Sequence, residues 1–140
     1  MNDTSLETTT EEETTSAGER LAESLKQGDV VLLYGELGAG KTAFIRGVAR
    51  GLDAPPEDVS SPTFTLVQEY PSPRATLYHV DLYRLESAEV DDLGLEELVD
   101  AGGIVAIEWA ERWLRRPAGA VEVKIEDLGE DRRRIQIQQG

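Results

Sequence analysis

The sequence predicts a single α/β domain in which a mixed, mostly parallel central sheet is flanked by helices and extended by antiparallel hairpins. Three observations carry that prediction. A short apolar run, Asp29-Val30-Val31-Leu32-Leu33-Tyr34, leads through Gly35-Glu36-Leu37-Gly38-Ala39-Gly40-Lys41-Thr42 into a segment with Phe44, Ile45, Val48, Ala49 and Leu52 at helical spacing. A second run, Ile104-Val105-Ala106-Ile107, is wholly apolar, as a parallel strand buried on both faces requires. Two pairs of alternating segments, one in mid-chain and one near the C-terminus, read as hairpins. The resulting βαβα order argues for a mixed sheet, and 140 residues suit one domain.

Taken in order, residues 1–4 are expected to be disordered and residues 5–140 to form the domain. Ser5 to Thr9 is threonine-rich and suits a short edge strand. Thr10-Glu11-Glu12-Glu13 has capping-box form, a hydroxyl followed three places later by a carboxylate. The helix it starts would place Ala17, Leu21 and Leu25 on one face, with Gly28 just past its end. Residues 29–52 form the strand–loop–helix unit, and Asp53 to Asp58, with two prolines, is a connector. Phe64 to Tyr70 and Ala75 to Asp81 make the first hairpin across Pro71-Ser72-Pro73. Ser87 to Leu98 reads as a helix that Gly94 weakens. Val121 to Ile125 and Arg134 to Ile137 alternate strictly and make the second hairpin.

Gly35 to Thr42 fits G-x-x-x-x-G-K-[ST], and its strand–loop–helix setting is the one this motif needs to bind phosphate. Glycines let the backbone turn tightly and aim its N–H groups at phosphate oxygens. A helix starting near Lys41 adds unpaired N–H groups and a positive dipole end. Lys41 is expected to reach the β- and γ-phosphates and the Thr42 hydroxyl to ligate Mg²⁺. The prediction is a P-loop NTPase-type domain that binds a nucleotide phosphate.

Composition excludes several other classes. No cysteine is present, so there is no disulfide framework, thiolate nucleophile or cysteine–zinc site. No apolar run approaches a membrane span and no signal-peptide pattern is visible, which sets the expectation of a soluble cytoplasmic protein without membrane contact. A net charge of −14, with lysine only at positions 26, 41 and 124, disfavours binding to DNA or RNA through a basic surface. Two readings of the acidity are open, a salt-loaded cytoplasm or ordinary solubility charge.

A phosphate loop hydrolyses nothing without a second acidic anchor for Mg²⁺ and a means of placing water. Glu108 directly follows Ile104–Ile107, and Asp81 closes Leu77-Tyr78-His79-Val80, so both are expected at the strand ends where open α/β sheets bind ligands. Ser60-Ser61-Pro62-Thr63 is either a γ-phosphate sensor or a turn whose hydroxyls serve local backbone groups. His79, the one histidine, reads as structural in preference to catalytic. Arg84 suits either charge neutralisation or an ordinary salt bridge, and Trp109 either the nucleotide or the core. The clusters Arg112/Arg115/Arg116 and Arg132-Arg133-Arg134 are read as solvated turns, with partner contact as the alternative. A threonine of the entry segment either touches the base or serves as a bare helix cap.

The order of these blocks resembles the TsaE (YjeE) family, small bacterial P-loop ATPases required for threonylcarbamoyladenosine (t6A) formation on tRNA. The resemblance rests on Gly35–Thr42, Ser61-Pro62-Thr63-Phe64-Thr65-Leu66-Val67, His79-Val80-Asp81-Leu82-Tyr83-Arg84-Leu85 and Glu108-Trp109, and covers about residues 8–125. It implies ATP and Mg²⁺ as cofactors and the TsaB–TsaD transferase pair as partners; the acidity of the chain fits a protein partner better than direct tRNA contact, so tRNA contact is expected to be indirect or weak. It further implies Gly38, Ala39, Gly40, Lys41 and Thr42 around the phosphates, Thr42 and Glu108 on Mg²⁺, and Trp109 near the nucleotide. The Ser61–Thr65 segment, with Thr63, and the Asp81–Arg84 segment would act as switches, Asp81 orienting water. Ala110 stands where many members carry proline, and the N-terminal strand has few apolar residues.

Rival readings are a small-molecule kinase, a GTPase switch and a regulatory subunit that binds nucleotide without hydrolysis. The acidic segment Glu86 to Asp100 disfavours an anionic acceptor, and the N-K-x-D guanine motif is absent.

Overall fold

Strand β2 (Val30–Tyr34) lies at the middle of a seven-stranded sheet whose order is β1-β7-β6-β2-β5-β4-β3. A computed structural model describes residues 2–35, 40–54, 67–83, 85–90 and 93–139. The other strands are β1 (Asn2–Thr8), β3 (Val67–Tyr70), β4 (Leu77–Asp81), β5 (Ile104–Glu108), β6 (Val121–Gly129) and β7 (Arg132–Gln139). The helices are α1 (Glu11–Ala22), α2 (Lys41–Gly51), α3 (Ser87–Val90) and α4 (Leu95–Asp100), with a 3₁₀ turn at Ala110–Arg112. The mixed α/β domain is as expected, but parallel pairing is confined to its centre, where β6, β2, β5 and β4 lie side by side. The flanking pairs β1–β7, β6–β7 and β3–β4 are antiparallel, the hairpin extensions that the sequence suggests. Hairpins join sequence neighbours at either edge, whereas the central strands need helical crossovers.

Alternation along β2 divides the core. Val31 and Leu33 pack with Phe44, Ile45 and Val48 of α2 and Ala17 and Leu21 of α1 on one face. Val30 and Leu32 join Val80, Val105, Ile107, Leu95 and Trp113 on the other. Strands β2 and β5 are covered on both faces, which is why they read as continuous apolar runs. Strand β6 instead buries Val123 and Ile125 and exposes Glu122, Lys124 and Glu126. Its turn into β7 has Glu130 and Asp131 both at positive φ (52° and 65°), the backbone hand that suits a tight hairpin.

Helix α1 begins as its capping residues dictate. Thr10 is extended, and its Oγ1 accepts the Glu13 N–H at 3.1 Å. The Glu13 carboxylate reaches back one residue beyond a strict capping box and accepts the Thr9 N–H at 2.6 Å and the Thr9 hydroxyl at 2.9 Å. Those bonds hold its carboxyl below the ordinary range. Helices α1 and α2 then pack along glycines. A Cβ on Gly18 would overlap the Phe44 carbonyl oxygen, and one on Gly47 would overlap the Thr15 carbonyl oxygen.

Arg74 closes the opposite end of the same pair. Its Nη1 donates to Ala22 O (3.0 Å) and Gly51 O (3.3 Å), and its Nη2 to Leu25 O (2.9 Å). A guanidinium there satisfies carbonyls at two helix C-termini and meets their negative dipole ends. Arg74→Ala is expected to cost about 2–3 kcal/mol, the scale of hydrogen bonds to a charged group, read as a lower urea midpoint with unchanged slope.

Two expectations are corrected. Strand β1 starts at Asn2, within the 1–4 segment expected to be disordered, because β7 runs on to Gln139 and supplies ladder partners from Asn2↔Gln139 onward. The helix expected over Ser87–Leu98 is two short helices, since Gly94 takes a left-handed φ of 71° and α4 starts afresh at Leu95. Of the first hairpin, Phe64 to Leu66 lie outside the described residues.

Candidate functional site

Three neighbouring parallel strands end at one edge, and each delivers one part of the site. Strand β2 leads into Gly35, β4 ends in Asp81 and β5 ends in Glu108. Asp81 is the register partner of Glu108, which is also the partner of Leu33. The period of two puts His79 and Asp81 on one face of β4, and Ala106 and Glu108 on the matching face of β5. Ala106 belongs to the core under α1 and α2, so the acidic side chains share the face on which α2 lies. This is the carboxyl edge where open α/β sheets take ligands.

Lys41 opens α2 directly after Gly40, whose φ of 96° only glycine adopts without strain. The lysine is 3% exposed. Its Nζ donates to Gly35 O at 2.8 Å and stands 4.4 Å from the Trp109 ring centroid, a cation–π contact. Burial pushes the ammonium pKa down, against the pull of Glu108, then Asp81 and Glu111. Trp109 itself has φ 60°, a strained value for a bulky side chain, and Tyr83 packs on it at 5.0 Å. Thr42, half-buried, follows in the first turn of α2.

Burial raises the Asp81 pKa above the ordinary 3.8; the Tyr83 N–H on Oδ1 (2.9 Å) works against this, and Glu108 adds to it. Below 3.8 the group is protonated folded and unfolded, so no penalty exists. As pH rises through the raised folded-state pKa the folded protein must ionise a carboxyl it disfavours, and stability falls. Asp81→Asn is therefore expected to raise the melting temperature at neutral pH and to leave it unchanged near pH 3, in paired thermal melts.

Glu108 is 5% exposed, and its Oε2 lies 2.5 Å from His79 Nε2. His79 is wholly buried, and Tyr70 packs at 6.4 Å between ring centroids. The histidine, expected to be structural, is buried in the sheet and contacts a candidate site residue. Sequence spacing gave no sign of this, since the pairing comes from the register of β4 against β5.

Among the described residues no group of three His, Cys, Asp or Glu side chains is placed to hold a metal by itself. A carboxylate and a hydroxyl are the kind of donors that suit Mg²⁺, which takes few protein ligands and completes its shell with phosphate and water. Glu108 and Thr42 are the residues that fit it.

Lys41, Asp81, Glu108 and Trp109 thus lie together at one strand edge, and Gly40 and Thr42 flank Lys41 in the chain. Gly38, Ala39, Thr63 with its Ser61–Thr65 segment, and Arg84 lie outside the described residues. Arg133, read in the sequence as part of a solvated turn, is instead largely buried beside the loop. Its Nε lies 3.3 Å from where a Gly40 Cβ would be, and its Nη1 pairs with Asp127 at 3.0 Å. Thr14 Cγ2 is 3.7 Å from the same point, and its hydroxyl meets that of Thr8 at 2.7 Å, so one threonine of the entry segment lies next to Gly40. A hollow of about 270 Å³ opens nearby, lined by Tyr34, Gly35, Lys124 and Asp127 among others.

Fold and site together define a class, a small α/β protein built around a strand–GxxxxGKT–helix unit with acidic residues at neighbouring strand ends. The sequence profile of "Threonylcarbamoyl adenosine biosynthesis protein TsaE" matches residues 8–135, and the chain belongs to the TsaE family. Relatives named tRNA threonylcarbamoyladenosine biosynthesis protein TsaE include one from Nostoc sp., 45% identical over 132 residues (90% of this chain, 80% of that one). Another, from Bacillus subtilis, is 42% identical over 125 residues (89% and 78%). The crystal structure of Bacillus subtilis YdiB superposes with a TM-score of 0.80 at 33% identity, over 99% of this chain and 86% of that one. Among the described residues no helix is long and apolar enough to cross a membrane.

Proposed function

We propose that this protein binds ATP with Mg²⁺, hydrolyses it to ADP and phosphate, and in doing so supports t6A modification of tRNA by acting on a TsaB–TsaD pair in the cytoplasm. The observation that carries the reading is the convergence of buried Lys41 with Asp81 and Glu108 at the carboxyl ends of adjacent parallel strands. The pathway and the partners come from the names of the relatives and from the family resemblance.

In this reading the Lys41 ammonium exchanges Gly35 O for phosphate oxygens, and N–H groups at the start of α2 add donors at a positive dipole end. Thr42 and Glu108 would hold Mg²⁺, which would supply neutralisation of the charge that develops in phosphoryl transfer. Asp81, on the same face as Glu108, accepts a hydrogen bond from the attacking water and sets its line of approach. Trp109 walls the lysine from solvent and strengthens its field. The acidic surface favours a protein partner over direct tRNA contact.

The test is ATP hydrolysis by the purified protein, alone and with a TsaB–TsaD pair, at low and high salt. The expected result is slow turnover alone and marked stimulation by the pair. Efficient turnover indifferent to the pair would replace this reading with an independent phosphotransfer enzyme. Tight ATP binding without turnover under any condition would replace it with a regulatory subunit.

A further inference from the structure

His79 raises a question that packing does not answer. It is wholly buried, and its Nδ1 is the one buried side-chain polar atom without a hydrogen-bond partner among the described residues. Its other nitrogen, Nε2, faces Glu108 Oε2 at 2.5 Å. A carboxylate oxygen can only accept, so Nε2 carries the proton and donates it. In the neutral ring Nδ1 is then a bare lone pair sealed from water; in the charged ring it would be a sealed donor. Either way an orphaned polar atom is unfavourable.

Stability alone gives little reason to keep such a pair, because replacing a buried ionic pair with apolar residues of similar volume is commonly neutral or favourable. The geometry serves something else. Glu108 closes β5 at the strand edge, and a carboxylate there has rotameric freedom unless a neighbour removes it. The His79 ring is held by Tyr70 and by its own strand, so its N–H is a fixed point. It anchors Oε2 and leaves Oε1, which has no hydrogen-bond partner among the described residues, as the oxygen offered outward.

We infer that His79 is a positioning residue: through Nε2–H it locks the Glu108 carboxylate so that one oxygen is presented to the cation shared with Thr42. The inference rests on the reading of Glu108 as a Mg²⁺ anchor and adds the residue that orients it. Partners in the shell behind a metal ligand typically change metal affinity by about 10–100-fold.

The test uses the full chain, whose single histidine makes its imidazole resonances unambiguous. In ¹⁵N-histidine-labelled protein, Nε2 is expected to carry a proton. Adding Mg²⁺ to protein saturated with a non-hydrolysable ATP analogue should shift the Nε2–H resonance in wild type and not in Glu108→Gln. In parallel, analogue affinity is measured with Mg²⁺ and with a chelator. His79→Leu should lose about tenfold or more of the Mg²⁺-dependent gain while affinity in chelator is unchanged, and His79→Gln, which keeps a donor, should recover part of that gain. Wild-type Mg²⁺ dependence in His79→Leu, with the dependence lost in Glu108→Gln, would overturn the positioning role alone. Full dependence in Glu108→Gln would overturn the anchor reading and the inference with it. Should His79→Leu fail to fold, the labelled wild type still decides, since an Nε2 without its proton, or an Nε2–H blind to Mg²⁺, overturns the inference.

Discussion

Gly47→Ala is expected to cost this protein about 3 kcal/mol or more, the upper end of what overpacking a core does. The added Cβ would overlap the Thr15 carbonyl oxygen, with the carbonyl carbon 2.7 Å and Glu19 N 2.9 Å away. All three are backbone atoms of α1, so no side-chain rotation relieves the clash, and the helices must separate. Separation opens the face on which Ala17, Leu21, Phe44 and Val48 meet. Against a typical total of 5–15 kcal/mol the loss is large. Position 51 offers a graded control: there the nearest neighbours would be Ala22 Cβ at 2.6 Å and Glu19 O at 2.7 Å, near the end of the helix, where fraying gives room. Urea titrations should rank Gly47→Ala as more damaging than Gly51→Ala, and near-equal midpoints for Gly47→Ala and wild type would refute the close-packing account. Because α2 starts at Lys41, a shift of this helix also displaces the candidate site.

How much of this was legible in the sequence depended on whether the deciding interaction is local. The cap at Thr10, the apolar runs of β2 and β5 and the start of a helix at Lys41 express themselves within a few residues, and they read correctly. The strand ends of β4 and β5 were equally legible, because an acid after an apolar run can only lie at the sheet edge. What escaped was set by register and by helix contact. His79 meets Glu108 across 29 positions of chain, and Arg133 reaches Gly40 only because β7 folds back along β6. The spacing Gly47-x-x-x-Gly51 was visible as composition, yet its meaning requires knowing that α1 crosses at that face. The break at Gly94 was signalled by the glycine itself, but whether a lone glycine ends a helix is decided by what each half packs against.

Lys41→Ala is expected to reduce affinity for a non-hydrolysable ATP analogue by about 2–5 kcal/mol, roughly thirtyfold to several thousandfold, as truncating one partner of a buried charged contact does. The lysine is held ready, with Nζ on Gly35 O and against Trp109, at a burial that already disfavours its charge. An arriving phosphate supplies counter-charge that, among the described residues, Glu108, Asp81 and Glu111 provide. Arginine should not rescue, since a planar fork does not fit a slot shaped for an ammonium that is 3% exposed. The substitution also carries a pH signature. Lys41 helps hold down the already raised pKa of Asp81, so its loss lets that pKa rise further. A carboxyl with a raised folded-state pKa lowers stability as pH climbs from 3.8 through that value, so the destabilisation of Lys41→Ala should be small in acid and grow towards neutrality. Calorimetric binding at pH 7 and thermal melts from pH 4 to 8 measure the two effects separately. Unchanged affinity would move the phosphate site away from this loop, whereas lost affinity with a flat pH response would keep the site but break the electrostatic link between Lys41 and Asp81.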